Sequence, residues 1–242
     1  MTIEYEQTYQ LRTGDFDTYA HLQPASVLDI FQDAAGANAD RTPGMTMEDA
    51  VEGTKLLWVI TRLKYEVVAT PALHEQVKVR TWPLAPTRMG FQREYTIKRL
   101  DGELLVKGTS EWVLMDAITR SFVSARDVYN GPDDFSTERN FEKKVRKLRD
   151  FEPADKGCRI TPTFTDIDVN GHVNNTKYAS YVLDALNPGK DEVIRTFQID
   201  YRHELRCGQS VDIHLAREDG AVTALGISDD GERRFMARIE FA

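Results

Sequence analysis

The chain has 242 residues, with 41% hydrophobic and 29% charged residues, the proportions of an ordinary globular protein. Its formal net charge of −8 argues against a nucleic-acid binder, and no apolar run approaches the ~18 residues of a membrane span. Two cysteines, Cys158 and Cys207, are too few for a disulfide framework and lack metal-ligand spacing. The low number of cysteines and the absence of a visible signal peptide together predict a cytoplasmic location.

A polar loop and the helix after it occur twice in the chain. Residues 15–34 align without a gap with residues 166–185, at an offset of 151 (166 − 15). The identical pairs are Asp15 with Asp166, Asp17 with Asp168, His21 with His172, Asp33 with Asp184 and Ala34 with Ala185. Five identities in twenty exceed the roughly one expected from composition, which indicates an internal duplication.

The first unit, residues 1–130, contains one helix and four strands after the loop. Pro24 suits a first helical turn, and apolar residues recur at helical spacing from Val27 to Ala35. Alternating, β-branched-rich stretches then predict strands at 54–68, 75–82, 91–100 and 103–116. Asp101-Gly102 suits the tight turn between the last two strands.

Residues 131–158 are interpreted as a linker that can be partly helical. Asn130-Gly131-Pro132 interrupts regular structure at its start. Within residues 138–149 the linker carries six basic side chains. Two interpretations stay open for them, a solvated connector and a docking surface for an acidic partner.

The second unit, residues 159–242, repeats the same order. Tyr178, Tyr181, Val182 and Ala185 share a helical face, and Asn187-Pro188-Gly189 ends that helix. Strands are predicted at 194–203, 210–217, 221–228 and 232–241. The fold class is therefore α+β, with two copies of a long helix wrapped by an antiparallel β-sheet. The two units either extend one sheet or pack face to face.

Residues 166–175 form the densest polar cluster, a loop that leads into the second helix. Asn174 or Asn175 can cap that helix, whose N-terminal N–H groups can stabilise an oxygen gaining negative charge. His172 can exchange a proton near neutral pH, and Gly171 allows close backbone approach. The alternative is a well-capped turn in which these residues serve structure alone.

The first unit keeps the frame of this loop but not its amides. Tyr19 replaces Asn170, and Gln23-Pro24 replaces Asn174-Asn175, whereas Asp17 and His21 are retained. We interpret Asp17 and His21 as residues that hold the loop. The difference indicates one working site and one retired site.

A carboxylate side chain, Glu204, follows the first predicted strand of the second unit. Aligning Tyr201 with Tyr65, at an offset of 136 (201 − 65), places Glu204 opposite Val68. A carboxylate here can act as a general base for water, although an exposed structural glutamate is the alternative. Cys207 invites a nucleophile hypothesis, but its context favours an inert thiol.

The motif D-V-N-G-H-V-N-N-T-K-Y at 168–178 and Y-R-H-E at 201–204 resemble the acyl-acyl carrier protein thioesterases of plants and bacteria. Further matches include W-V-I-T-R-L at 58–63 and S-E-W-V-L-M-D-A-I-T-R at 110–120. The resemblance implies a tandem hot-dog fold, acyl carrier protein as the partner that carries the substrate, and no metal or organic cofactor.

The same resemblance implies four catalytic residues: Asp168, Asn170, His172 and Glu204. Glu204 would activate water directly or through its neighbours, Asn170 and His172 would position the water or the thioester, and Asp168 would orient the loop. Plant members carry a cysteine directly after this glutamate, where this chain has Leu205, which weakens a cysteine mechanism.

Other functions remain open at this point. An acyl-coenzyme A thioesterase would use the same residues, and a non-catalytic acyl-binding module would keep the fold without the chemistry. A hot-dog dehydratase is disfavoured by the Asn-x-His-x-Asn-Asn motif. A homodimer is one option for the assembly.

Overall fold

The computed structural model describes residues 3–42, 56–153 and 155–242. The strands of the first half are β1 (Tyr5–Gln10), β2 (Leu56–Val67), β3 (Gln76–Pro83), β4 (Phe91–Arg99), β5 (Leu104–Asp116) and β6 (Phe122–Val123). Those of the second half are β7 (Asp155–Ile160), β8 (Ile194–Tyr201), β9 (Val211–Glu218), β10 (Ala221–Ser228) and β11 (Arg233–Phe241). The helices are α1 (Pro24–Ala39), the single turn α2 (Ala125–Val128) and α3 (Lys177–Leu186). Thr54 and Lys55, the start of the predicted strand 54–68, lie outside the described residues.

One antiparallel sheet runs through both units. Its order is β1-β3-β4-β5-β2-β8-β11-β10-β9-β7, and β6 pairs with β5. The units meet where β2 pairs with β8, with Arg62 opposite Asp200 in the register. Arg62 Nε donates to Asp200 Oδ1 at 2.7 Å, and Asp200 is only 2% exposed. Of the two arrangements left open by the sequence, the units extend a single sheet.

Each long helix packs on the strands of its own unit, and the two helices contact each other. α1 lies against β3 and β1, and α3 lies against β9, β7 and β11. In the first unit the ring of Phe31 stacks on Tyr95 with 4.4 Å between centroids. Gly108 leaves room for that ring, since a Cβ there would come within 2.3 Å of it. The arrangement confirms the predicted α+β, tandem hot-dog fold.

The internal duplication is also visible in the local backbone. Single 3-10 turns at Thr13–Asp15 and Phe164–Asp166 precede the two loops. In each turn the aspartate carboxylate accepts a backbone N–H three residues earlier, from Arg12 or Thr163, at 2.7 Å. The strands predicted within the described residues are all present, with ends that differ by at most two residues from those expected.

The two helices differ at their N-termini. α1 begins at Pro24, as predicted, but α3 begins at Lys177, with Thr176 as its capping residue. The expectation that Asn174 or Asn175 caps the helix is therefore wrong in detail. Asn174 Oδ1 instead accepts the backbone N–H and the hydroxyl of Thr176, both at 3.0 Å, and so fixes the residue before the helix. Asn187 ends α3 in the left-handed conformation, at φ +47°, as the stop signal predicted.

The linker contains no helix between residues 129 and 153, so the expectation of a partly helical linker is wrong. It lies along the sheet, and several of its polar groups are hydrogen-bonded to the strands. Asn140 Nδ2 donates to the carbonyls of Tyr95 and Gly108, each at 2.8 Å. Its backbone N–H donates to the buried Glu94 at 2.9 Å. Within the described chain, no helix is long and apolar enough to cross a membrane.

Candidate active site

The loop from Asp168 to His172 is closed by its own backbone. Asp168 N–H donates to the His172 carbonyl at 2.9 Å, and Gly171 N–H donates to the Asp168 carbonyl at 3.0 Å. Gly171 has φ +78°, a conformation that favours glycine. The Asp168 carboxylate accepts the N–H of Asn170 at 2.8 Å. Asp168 therefore holds the loop that presents Asn170 and His172.

The first unit builds the same loop frame. Asp17 N–H donates to the His21 carbonyl at 2.9 Å, and Ala20 N–H donates to the Asp17 carbonyl at 3.0 Å. Ala20 sits at φ +64° without being glycine. The Asp17 carboxylate accepts the N–H groups of Tyr19 and His21 at 2.8 and 2.9 Å. Loop-holding is thus common to both aspartates, and it does not by itself mark a catalytic residue.

The structure brings His172 and Glu204 together, although they belong to two separate motifs, at 168–178 and 201–204. His172 Nε2 lies 3.1 Å from Glu204 Oε1, and both side chains are partly buried. The segment after β8 is fixed to the loop and the helix. Leu205 N–H donates to the Tyr178 hydroxyl at 3.0 Å, and Val173 N–H donates to the Leu205 carbonyl at 2.8 Å.

Two arginines also contact the Glu204 carboxylate. Arg206 Nη2 lies 3.0 Å from Oε1, and Arg120 Nη2 lies 2.8 Å from Oε2. Burial alone would raise the pKa of Glu204, but the hydrogen bonds from Arg206 and Arg120 and the nearby charges outweigh it, so the pKa lies below its ordinary value. Glu204 is therefore a carboxylate at neutral pH.

Asn170 is exposed, and its side chain makes no hydrogen bond within the described part of the chain. Its amide is therefore available to a ligand. Asp168, Asn170, His172 and Glu204 all line one cavity, so the four residues expected from the sequence share a site. No group of three His, Cys, Asp or Glu side chains among the described residues is arranged to hold a metal ion.

The cavity has a volume of about 1280 Å³ and is lined by both units. The second unit contributes Asp168, Asn170, His172 and Glu204 to the wall of the cavity. Most of the apolar lining comes from the first unit, including Ala35, Ala39, Leu57, Ile60, Phe91 and Trp112. A polar reacting group joined to a long apolar chain fits this division.

Sequence reasoning missed the arginines of the site. Arg120 ends the matched motif at 110–120, but nothing in the sequence places it beside Glu204. Arg206 lies two residues after Glu204, and Arg234 Nη1 donates to the Glu204 carbonyl at 3.1 Å. Cys207, by contrast, is exposed and does not line the cavity.

Among the residues that the structure describes, the first unit has no histidine–carboxylate pair at the cavity wall. His21 Nδ1 lies 3.5 Å from Asp17 Oδ2, within its own loop. Val68, aligned with Glu204, is exposed and carries no polar group. Neither His21 nor Val68 lines the cavity.

Two family models match the chain. The acyl-ACP thioesterase N-terminal domain matches residues 2–130, and the acyl-ACP thioesterase C-terminal domain matches residues 152–242. A chloroplastic acyl-[acyl-carrier-protein] hydrolase of Cuphea viscosissima is 30% identical over 254 residues, which cover 95% of this chain and 55% of that protein. The chain thus spans little more than half the length of this curated relative.

Solved structures show the same fold. An acyl-ACP thioesterase from Bacteroides thetaiotaomicron superposes with a TM-score of 0.85 at 22% identity, covering 99% of this chain and 98% of that one. The 12:0-ACP thioesterase from Umbellularia californica gives a TM-score of 0.83 at 24% identity, covering 99% and 97%. Because both family models match and the curated relative is 30% identical over 95% of the chain, the chain belongs to the acyl-acyl carrier protein thioesterase family.

Proposed function

We propose that the protein hydrolyses the thioester of a fatty acyl group on acyl carrier protein and releases the free fatty acid. The contact of 3.1 Å between His172 Nε2 and Glu204 Oε1, at the wall of a large cavity with apolar lining, carries the proposal. Family membership supports the same reaction. The names of several relatives include acyl carrier protein hydrolase or thioesterase, which favours this carrier over coenzyme A.

Glu204 is the proposed general base. Its lowered pKa keeps it ionised at neutral pH, which is the state that accepts a proton. Water held between Glu204, His172 and Asn170 loses a proton as its oxygen attacks the carbonyl carbon of the thioester. Asp168 acts through the loop, by fixing the backbone that carries Asn170 and His172.

The tetrahedral intermediate then breaks its carbon–sulfur bond. The carbonyl oxygen, which gains negative charge on attack, is stabilised by the positive end of the α3 dipole and by the free amide of Asn170. The thiolate of the carrier leaves and is protonated by Glu204, which accepted that proton from water. Water and thioester thus give one fatty acid and one thiol, and no covalent acyl-enzyme is formed.

A second route for the proton follows from the same contact. A carboxylate with a lowered pKa is a weaker base, and His172 is within hydrogen-bonding distance of it. In this route His172 takes the proton from water, while Glu204 orients the imidazole. The pH dependence of turnover separates the two routes and is treated in the Discussion.

The docking partner and the cellular setting belong to the same proposal. Acyl carrier protein is acidic, as the family resemblance implies, so this acidic chain needs a local basic surface to attract it. The basic residues 138–149 are the proposed surface. The chain is expected to act in the cytoplasm, and a homodimer is one option for its assembly.

The test is thiol release from acyl carrier protein and acyl-coenzyme A thioesters of graded chain length. We expect faster turnover of the carrier-protein substrates, with no added metal or cofactor. A higher kcat/KM for coenzyme A esters would place the protein among acyl-coenzyme A thioesterases. Tight acyl binding without thiol release would make it a binding module.

A further inference from the structure

The carboxylate of Glu204 is shared between the two units. Oε1 faces His172 Nε2 at 3.1 Å and Arg206 Nη2 at 3.0 Å, all within the second unit. Oε2 accepts Arg120 Nη2 at 2.8 Å, from the turn after β5 in the first unit. Holding Oε2 in this way leaves Oε1 directed at the histidine.

The turn that carries Arg120 is built around Asp116. The Asp116 carboxylate accepts the N–H groups of Ile118 and Thr119 at 2.8 and 2.7 Å, and its carbonyl accepts the N–H of Arg120 at 2.9 Å. Its own N–H donates to the Ser121 carbonyl at 2.9 Å. These four bonds fix the backbone on both sides of Arg120.

Arg120 itself adopts φ +57°, in the left-handed region that is unfavourable for a residue with a Cβ. Glycine would occupy this position without strain. Among the described residues, Glu204 is the one side chain with which Arg120 makes an ion pair or hydrogen bond. A strained backbone position is a reason to ask what its side chain does, and the Arg120 side chain contacts Glu204.

Stability does not account for this contact. The Arg120 side chain is 46% exposed, and ion pairs of such exposure contribute little to folding. The units are joined instead by the β2–β8 pairing, which includes the buried contact of Arg62 with Asp200. That junction places the Arg120 turn beside Glu204.

We infer that Arg120 is a positioning residue for hydrolysis, through which the first unit, lacking a site of its own, completes the site of the second. Its guanidinium fixes the orientation of the Glu204 carboxylate and keeps it ionised. The inference rests on the proposed function, because the reaction is what Glu204 is positioned for. The charged and titratable groups around this carboxylate and its backbone are Arg120, Arg206, His172, Arg234, Asp168 and Tyr178.

The experiment compares two variants of Arg120. Arg120→Asn removes the charge, while asparagine tolerates the left-handed backbone, and Arg120→Lys keeps the charge. We expect Arg120→Asn to lower kcat/KM about ten-fold, as misplacement of a reacting group does, and Arg120→Lys to recover most of it. Arg126→Asn, at an exposed arginine of α2 in the same unit, is the matched control and should be unaffected.

A pH series tests the positioning role, because a purely structural role of Arg120 would leave the pH dependence of kcat/KM unchanged. Loss of the Arg120 charge raises the pKa of Glu204, so the acid limb of kcat/KM should shift to higher pH in Arg120→Asn. Carbon NMR titration of the Glu204 carboxyl should show the same upward shift without any substrate.

The outcomes are separable. Wild-type activity, an unmoved acid limb and an unmoved Glu204 titration in Arg120→Asn would overturn the inference. A loss of activity accompanied by a lower melting temperature, but with no change in either titration, would also overturn it, because the role would be structural. An inactive wild-type protein would count against the proposed function instead, and the NMR titration would still decide whether Arg120 acts on Glu204.

Discussion

His172 Nε2 lies 3.1 Å from Glu204 Oε1, although the histidine belongs to the loop before α3 and the glutamate follows β8. His21, the histidine aligned with His172, contacts Asp17 within its own loop. Only the second unit therefore combines an imidazole with a carboxylate at the cavity wall, among the residues the structure describes. This difference leads to the first prediction.

His172→Ala or Glu204→Gln should reduce turnover by about 10²–10⁴, the usual contribution of a positioned acid–base group. His21→Ala, the matched control, should reduce it far less, because His21 does not line the cavity. Steady-state kinetics with one acyl carrier protein substrate would measure both, with circular dichroism to verify folding. Equal losses at His21 and His172 in folded protein would rule out a single site in the second unit.

The pH dependence of kcat/KM distinguishes the two routes for the proton. The pKa of Glu204 is lowered, so Glu204 stays ionised above that value and loses its charge only as the pH falls through it. If Glu204 is the base, the acid limb should lie below the ordinary pKa of a glutamate side chain. An acid limb above that range would mean that a group other than Glu204 accepts the proton, and His172 is the neighbour within hydrogen-bonding distance. Tryptophan fluorescence at each pH would verify that the protein remains folded.

Cys207→Ser should keep most of the activity. The thiol is exposed and does not line the cavity, whereas a nucleophile must reach the thioester carbonyl. Mass spectrometry of protein quenched during turnover should show no acyl group on Cys207. A trapped acyl-cysteine at that position would replace the direct attack of water with a covalent mechanism.

The linker provides a prediction about stability. Asn140 ties it to the sheet through the Tyr95 and Gly108 carbonyls and through Glu94. Asn140→Ala removes the two side-chain bonds and should lower the free energy of unfolding by about 1–2 kcal/mol. Urea denaturation would measure this, with the exposed Asn130→Ala as the control. Equal stability of the two variants would mean that the linker is not fastened at Asn140.

Most regular elements could be predicted because their residues carry local signals. Alternating apolar residues placed the strands, and Pro24 and Asn187 marked a helix start and a helix end. The start of α3 was misplaced because Asn174 contacts Thr176, the capping residue, instead of capping the helix itself. The preference of asparagine for helix starts does not tell whether it caps the helix itself or contacts the capping residue.

The features that escaped prediction depend on contacts between distant segments. The linker is extended because Glu94 and the Tyr95 carbonyl offer it partners on the sheet, and neither is visible in its own sequence. Arg120 meets Glu204 because β2 pairs with β8, a register that composition does not specify. The four expected site residues, in contrast, lie in two compact motifs, and a family resemblance sufficed to group them.

The basic linker residues lead to the last prediction, which concerns the carrier protein. Residues 138–149 carry six basic side chains against Glu138 and Glu142, a local balance of +4 (6 − 2). The side chains of Lys143, Lys144, Arg146 and Lys147 are exposed, and Lys144 makes one ion pair, with Glu111 at 3.3 Å. These four residues are therefore accessible to an acidic partner, whereas the backbone of the same segment is fixed to the sheet.

Changing these four residues together to glutamate should lower kcat/KM for acyl carrier protein substrates, because surface charges mainly act on the association rate. The defect should shrink as salt is added, since screening removes long-range attraction. Small thioester substrates should be nearly unaffected. A control with Lys156, Lys190, Arg195 and Arg217 changed to glutamate has the same net charge, and none of these residues lines the cavity. Equal defects in the two variants at low salt would assign the effect to net charge, and an unchanged kcat/KM in the linker variant would make the segment a plain connector.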